Sequence, residues 1–392
     1  MKINNYLANT LLILISILLA VALALSALEI YLRSQFGTGE THNLLGMVVF
    51  NEERGWELKP GNYRYFDPGA MTSNSITINS LGTRGKAFQP KASPERERVS
   101  LVGDSFMFAM ALDEGDTVAG RVQTALGNHY EVVNLSVPGY GTGQEILFLQ
   151  DLRNKGYDWG SHVILAFFTN DILDNLGLDY GTLTRQTRQP AISVGSDGKL
   201  VIEKPIKPVA QKNSVEPERN QYLFDKFLKN RAELIAARFP FLVKIFGVVT
   251  GEVSLPRDPG IITGWYTEGW EARWQVTSHL IENMANMVRT QTGVEFDIVF
   301  IPSPFQVEPV FKEIVASIAL HDPRYKMFLE DIDRPQRMLM GLCEKRKIRC
   351  IDATDKLRAA SRKQPTYFLH EGHLNAYGVS EIYDVFEKLI RH

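Results

Sequence analysis

The chain of 392 residues contains only two cysteines, Cys343 and Cys350, and carries a formal net charge of −2. Two cysteines are too few for the framework of a disulfide-rich domain or for a cysteine-rich zinc site. A charge so close to zero gives no electrostatic basis for binding nucleic acid. Internal repeats and long low-complexity tracts are also absent. The chain is therefore expected to be a globular protein with one large or two small domains.

Two motifs that would indicate a metal or a cofactor are incomplete. In the run 370–373, His-Glu-Gly-His, the second histidine of a His-Glu-x-x-His motif is replaced by Leu374. No set of cysteines or aspartates nearby completes a ligand group. Glycines at 139, 141 and 143 follow an apolar run, but Gln144 stands where a dinucleotide-binding loop needs its third glycine. We predict neither a metal nor another cofactor.

One apolar segment is long enough to cross a membrane. Residues 11–28 contain no charge, and the run with its flanks, 6–30, matches a hydrocarbon core of about 30 Å. A cleavable signal peptide is the alternative, with a cleavage site at 22–24, but the apolar run continues past it. We predict an uncleaved signal anchor over residues 1–33. Lys2 favours a cytoplasmic amino terminus, which places the rest of the chain outside the cytoplasm, in a periplasm if the cell has two membranes.

Beyond the anchor, strand and helix patterns alternate, which indicates an α/β protein with a parallel sheet. The predicted strands are 98–103, 130–135, 162–168, 295–302 and 348–352. The predicted helices are 116–127, 143–155, 268–291, 324–346 and 374–391. We divide the chain into the anchor, a polar extension 34–97 that packs on the domain after it, and an α/β domain 98–392 with an insertion at 172–267.

Four segments of this domain carry side chains with chemical potential. Ser105 follows a buried-strand pattern in Gly-Asp-Ser, and Gly139 lies in a glycine-rich turn after the second strand. Asn170 ends the third strand, and His373 lies near the carboxyl terminus. A serine, a backbone amide, an amide side chain and a histidine are what acyl transfer requires: a nucleophile, a base and donors for the oxyanion.

These four blocks, in this order, resemble those of the SGNH hydrolases, also called GDSL esterases. The resemblance implies a flavodoxin-like three-layer fold with the site at the carboxyl ends of the strands. It also implies that Ser105 is the nucleophile, that His373 is the base, and that Gly139 and Asn170 help hold the oxyanion. The last block departs from the family's Asp-x-x-His or Asp-x-His. Here Glu371 precedes His373, and His370 occupies the other candidate position. We expect Glu371 to orient His373 and Asp171 to cap the segment after the third strand.

Several features remain open at this point. In the extension, Arg84 of the run Asn-Ser-Leu-Gly-Thr-Arg-Gly is expected to reach a carboxylate. The apolar stretch 222–246 could be a lid over the site, a membrane-surface segment or a helix packed on the core. Cys343, at a predicted helix end, and Cys350, in a predicted strand, are either bridged or two thiols.

The resemblance implies a membrane-anchored serine esterase that acts on O-acyl, above all O-acetyl, esters of an envelope or exported carbohydrate. A carbohydrate O-acetyltransferase would use the same residues and would need a membrane partner, because one amino-terminal span is no channel for an acyl donor. A lipid-ester hydrolase is a further enzymatic alternative. A binding protein without catalysis is the alternative from another class, favoured only by Glu371 in place of aspartate.

Overall fold

A five-stranded parallel sheet forms the centre of the fold in the computed structural model, which describes residues 2–36, 44–67, 72–177, 190–205, 261–291 and 293–391. The apolar stretch 222–246 lies outside these residues. The strands are β1 Val48–Asn51, β2 Gly55–Leu58, β3 Gly61–Asp67, β4 Thr72–Ile78, β5 Glu97–Val102, β6 Tyr130–Asn134, β7 His162–Phe168, β8 Ala191–Val194, β9 Leu200–Glu203, β10 Glu295–Ile301 and β11 Arg349–Asp352.

The central sheet has the strand order β11-β10-β7-β5-β6, and all its neighbours are parallel. Counted along the chain within this sheet, the order is 2-1-3-4-5, which is that of flavodoxin-like folds. The α/β class and the flavodoxin-like order predicted from the sequence are therefore confirmed. Each of the five predicted strands is present, with ends that differ by no more than a residue.

Helices pack against both faces of this sheet. The helices of the described residues are Lys2–Phe36, Leu44–Met47, Ser105–Phe108, Val118–Leu126, Thr142–Asn154, Asp171–Asp174, Ile261–Trp265, Trp270–Arg289, Pro304–Val307, Pro309–Ile318, Pro323–Glu330, Arg334–Arg346, Thr354–Ser361 and Ala376–Arg391. Short 3₁₀ turns occupy Glu114–Asp116 and Gly127–His129.

Strand β7 shows why the sheet needs two helical layers. All seven of its residues are buried, so neither face meets water, as in a parallel sheet covered on both sides. Leu165 packs in one apolar cluster with Leu149 and Leu280, whereas Ile164 packs in the other with Val122 and Phe386. Alternate residues of one strand thus fill two cores, one on each face of the sheet.

The single helix predicted over 324–346 is wrong. The structure has two helices, Pro323–Glu330 and Arg334–Arg346, separated by a short break. Pro335 lies in the first turn of the second helix, where a missing N–H costs nothing, but it cannot continue a helix from the preceding turn. Asp331 in the break accepts hydrogen bonds from Arg334 at 3.0 Å and from Arg337 at 2.9 Å.

The amino-terminal helix is the part of the described chain with the length and composition of a membrane span. Its window Leu12–Ser34 has a mean hydropathy of 2.6, and only 6% of that window is buried against the protein. A cleavable signal sequence has the same properties. Near the other end of the chain, a disulfide joins Cys343 and Cys350 and ties the helix Arg334–Arg346 to β11.

The segment before β5 folds into two antiparallel hairpins, β1–β2 and β3–β4. The Trp56 indole donates to the Pro138 carbonyl at 3.1 Å, and the Tyr140 hydroxyl donates to the Trp56 carbonyl at 2.5 Å. Arg84 forms an antiparallel bridge with Asn134 of β6. These contacts place the extension against one of the four sequence blocks, the strand and turn that carry Gly139.

Candidate active site

Ser105 begins a one-turn helix directly after β5, at the carboxyl end of a central strand. A side chain at Gly103 would lie 2.8 Å from Met107 Cγ and 3.3 Å from the Ala166 carbonyl, so the turn has room only for glycine. The Asp104 carboxylate accepts the N–H of Phe106 at 2.9 Å and caps the helix. The turn is tight, and it presents the serine at the sheet edge where α/β proteins place their sites.

Hydrogen-bond contacts link Ser105 to His373 and His373 to Glu371. His373 Nε2 lies 2.8 Å from Ser105 Oγ, and His373 Nδ1 lies 3.1 Å from Glu371 Oε2. A carboxylate beside Nδ1 favours the tautomer with a proton on that nitrogen, which leaves Nε2 able to accept the serine proton. The side chains of His373 and Glu371 are 32% and 23% exposed, so solvent reaches the site.

The turn 368–373 makes room for a glutamate in place of aspartate. The Gly372 N–H donates to the Phe368 carbonyl and the Phe368 N–H to the His373 carbonyl, both at 2.7 Å. Gly372 has φ +87°, a left-handed conformation that favours glycine. This closed turn brings Glu371 and His373 together. His370 turns the other way, and its Nε2 lies 2.8 Å from Asp67 Oδ1.

The electrostatic surroundings of His373 suit a base. Burial lowers the pKa of His373, but the carboxylates of Glu371, Asp104 and Asp67 outweigh burial and raise the pKa above its ordinary value. A raised pKa strengthens the imidazole as a proton acceptor and stabilises the imidazolium that a transferred proton would create.

Two backbone amides are candidates for holding an oxyanion. Ser105 is the first residue of its helix, so its N–H is not used by the helix. The Val137 N–H donates to the Gly103 carbonyl at 3.1 Å, which brings the loop with Gly139 beside the serine turn. The N–H of Gly141 donates to Gln144 Oε1 at 3.2 Å and is therefore occupied. Gly139 stays the predicted second donor.

The side-chain amide of Asn170 already donates to two carboxylates, so it is not available to an oxyanion in this structure. Its Nδ2 donates to Asp104 Oδ2 at 3.0 Å and to Asp174 Oδ2 at 2.8 Å, which uses both amide hydrogens. Asn170 Oδ1 is buried without a partner among the described residues. To serve an oxyanion, Asn170 would have to release one of the two carboxylates.

Further acidic side chains are buried behind the serine turn. Burial, together with the charges of neighbouring aspartates, raises the pKa of Glu145 and that of Asp171 well above their ordinary values. Asp171 was expected to cap a helix, but this is wrong: Asn170 is the capping position. Asp171 follows it and accepts a hydrogen bond from the Thr142 hydroxyl at 2.6 Å.

Arg84 reaches carbonyl groups rather than the carboxylate expected from the sequence. Its guanidinium donates to the carbonyls of Phe108, of Ala109 at 2.7 Å and of Leu112 at 2.5 Å. Burial lowers the pKa of Arg84 to about 10. These three carbonyls lie at or just beyond the end of the helix that begins at Ser105. Through them Arg84 ties the extension to the turn that carries Ser105.

A cluster with metal-ligand spacing lies at the opposite end of the sheet. Among the described residues, His162, Glu295 and Asp297 place one ligand atom each within 4.8 Å of one another. Arg349 donates to Glu295 at 2.8 Å and to Asp297 at 2.6 Å. The guanidinium of Arg349 therefore supplies the positive charge that balances these two carboxylates, as a bound cation would.

No family model matches the chain, and no curated protein matches it either. Solved structures show a similarity in fold. A carbohydrate acetylesterase family member from Sinorhizobium meliloti is 12% identical with a TM-score of 0.37, over 75% of this chain and 97% of that one. A catalytic mutant of an acetylxylan esterase from Geobacillus stearothermophilus is 9% identical with a TM-score of 0.38, over 78% and 97%.

An esterase from Pseudoalteromonas sp. is 11% identical with a TM-score of 0.34, over 76% of this chain and all of that one. All three of these solved proteins are named as esterases. At such identities and TM-scores we base the functional proposal on the geometry of the site in this chain.

Proposed function

We propose that this chain is a serine esterase of the SGNH type, with Ser105 as nucleophile, His373 as base and Glu371 as the carboxylate that orients His373. The observation that carries the proposal is the continuous contact from Ser105 Oγ through both imidazole nitrogens to Glu371, at 2.8 and 3.1 Å. Nucleophile, base and orienting group within hydrogen-bond reach are the signature of an activated serine. The contact of Glu371 with His373 supports catalysis over the alternative of a binding protein, which the glutamate in place of aspartate had favoured.

The reaction follows from these positions. His373 Nε2 takes the Ser105 hydroxyl proton as Oγ bonds to the ester carbonyl carbon, and the carbonyl oxygen becomes an oxyanion. The N–H groups of Ser105 and Gly139 would hold this oxyanion, and Asn170 would join them after releasing a carboxylate. The intermediate collapses as the alcohol leaves with the proton from Nε2. Water then repeats the sequence on the acyl-serine and releases the acid.

For the substrate, we propose O-acyl esters, above all O-acetyl esters, on a carbohydrate outside the cytoplasm. The apolar segment Leu12–Ser34 of the amino-terminal helix would anchor the chain in the membrane. The disulfide between Cys343 and Cys350 supports an oxidising compartment, such as a periplasm, for the rest of the chain. The acetyl and carbohydrate preference itself comes from the resemblance of the four blocks to SGNH esterases.

The acyl preference is tested with p-nitrophenyl esters from acetyl to octanoyl, using the full chain in detergent. We expect turnover to be highest with acetyl and to fall with chain length. Ser105→Ala and His373→Ala should each lower kcat by at least about 10³-fold, because each removes a member of the nucleophile–base pair. Faster turnover of octanoyl than of acetyl esters would contradict the acetyl proposal and favour a lipid ester.

A sugar acceptor added to the acetyl assay separates hydrolysis from transfer. Hydrolysis predicts release of acetate in proportion to p-nitrophenol whether or not the sugar is present. Acetylated sugar that replaces acetate would contradict the hydrolase and favour an O-acetyltransferase. The same variants serve as controls, since both reactions need Ser105 and His373.

A further inference from the structure

A second histidine–carboxylate pair lies next to the proposed catalytic one. His370 Nε2 is 2.8 Å from Asp67 Oδ1 and 3.0 Å from Asp67 Oδ2. The two side chains are nearly enclosed, with 19% of His370 and 2% of Asp67 exposed. They are 303 positions apart in sequence, so the contact joins the extension before β5 to the turn that carries Glu371 and His373.

The backbone of Asp67 is held in a paired β-hairpin. It is the last residue of β3, which pairs with β4 along its whole length, from Gly61 with Ile78 to Asp67 with Thr72. A buried carboxylate needs hydrogen-bond donors, and the imidazole supplies one from the turn. Loss of either partner would leave the other polar group buried with one bond fewer, which is costly.

On the other side of this contact, His370 directly precedes Glu371 in the chain. The turn 368–373 closes on itself through the bonds of Phe368, Gly372 and His373, which link the backbone on both sides of His370 and Glu371. Glu371 Oε1 has no partner among the described residues, and only Oε2 contacts His373. The position of the Glu371 carboxylate therefore depends mainly on the position of the Glu371 backbone.

We infer that Asp67 is a positioning residue: through His370 it fixes the turn 368–373, and so sets the contact of Glu371 with His373 and of His373 with Ser105. The inference rests on the proposed esterase function and assigns part of the active site to the segment before β5. Asp67 contacts His370 through its carboxylate, and its charge also acts on His373.

The charge gives a second expectation. Burial lowers the pKa of His373, whereas Glu371, Asp104 and Asp67 raise it. Tyr65, two positions before Asp67 on β3, has its pKa raised by burial and by the charges of Glu371 and Asp67. Removal of the Asp67 charge should therefore lower the pKa of His373 and move the acid limb of kcat/KM to lower pH.

The test uses four variants of the full chain: Asp67→Asn, His370→Leu, His370→Gln and the double variant of the first two. With p-nitrophenyl acetate, we expect Asp67→Asn and His370→Leu each to lower kcat about 10- to 100-fold with little change in KM, since misplacement of a catalytic group costs rates of this order. The double variant should be no slower than the single ones, because both act through one contact. His370→Gln keeps a donor near the same position and should retain most of the activity.

Glu295→Gln is the matched control, because it removes a carboxylate that lies 3.5 Å from His162 Nε2 at the other end of the sheet. It should leave kcat and the acid limb unchanged. Melting temperatures show whether each variant is folded. Unchanged kcat and an unchanged acid limb in a folded Asp67→Asn variant would overturn the inference.

Hydrogen–deuterium exchange of the peptide 366–374 gives a readout that does not depend on turnover. We expect faster exchange there in Asp67→Asn and in His370→Leu than in the parent chain or in Glu295→Gln. If the parent chain turns over no ester, the proposed function fails, and the exchange data still decide whether Asp67 holds the turn. Equal exchange in these four proteins would contradict the inference.

Discussion

At the scale of single residues, Glu371 decides how the site is interpreted. Its longer side chain reaches His373 Nδ1 at 3.1 Å because the left-handed Gly372 between them folds the backbone back. A carboxylate at Nδ1 does two things: it selects the tautomer with a free Nε2, and it stabilises the imidazolium. Both matter only if Ser105 gives up its proton to His373.

We predict that Glu371→Gln lowers kcat about 10³- to 10⁴-fold, because an amide can bind the wrong tautomer and carries no charge. Since Glu371 raises the pKa of His373, the remaining activity should have its acid limb at lower pH than the parent. Steady-state kinetics of p-nitrophenyl acetate between pH 5 and 9 measure both effects. Glu371→Asp, which keeps the charge, is the matched control and should lose less. Equal losses in the two variants would contradict an orienting charge.

Sequence alone identified Ser105, His373 and Glu371 as candidates, because a nucleophile and its base have recognisable local motifs. It could not identify Asp67, since a carboxylate 303 positions from His370 has no local signature. It also could not foresee that both amide hydrogens of Asn170 are used by Asp104 and Asp174. The roles proposed for all of these residues at the site stay predictions.

At the scale of elements, the strands were predictable because each is a short apolar run that ends at a turn residue. β7 is the clearest case, buried over all seven residues and followed by Asn170. The break before Arg334 was missed although Pro335 marks it, because the apolar positions on both sides keep a helical spacing.

The same scale explains how the serine turn is supported. The helix Ser105–Phe108 is one turn long, so its own hydrogen bonds cannot hold it. Arg84 supplies three bonds to carbonyls at its end, and Ala109 leaves the helix in a left-handed conformation with φ 54°. The short element that presents the nucleophile is thus fixed by a residue of the extension before β5.

At the scale of the whole molecule, the described core carries a charge arrangement that works against stability at high pH. Burial and nearby aspartates raise the pKa of Glu145 well above its ordinary value, and Glu145 Oε2 has no partner among the described residues. A carboxyl group with a raised folded pKa stabilises the fold fully below its unfolded pKa of about 4.3, and this stabilisation is lost as pH rises through the folded value.

We therefore predict that Glu145→Gln is more stable than the parent chain at pH 8 and similar to it at pH 4.5. Each unit by which the folded pKa exceeds the unfolded one costs the ionised form about 1.4 kcal/mol, so Glu145→Gln should melt at a higher temperature than the parent chain at pH 8. Thermal unfolding of both proteins at the two pH values measures the difference. The exposed Glu95→Gln is the control and should change neither. A gain of equal size at both pH values would point to packing rather than to charge.

The central claim is that Ser105 is a nucleophile activated by His373, and covalent labelling tests it most directly. The full chain in detergent is treated with a fluorophosphonate, and the modified peptide is located by mass spectrometry. We predict one adduct on Ser105 in the parent chain, none in Ser105→Ala and a far slower reaction in His373→Ala. A folded parent chain whose Ser105 stays unmodified, or reacts equally fast without His373, would contradict the account.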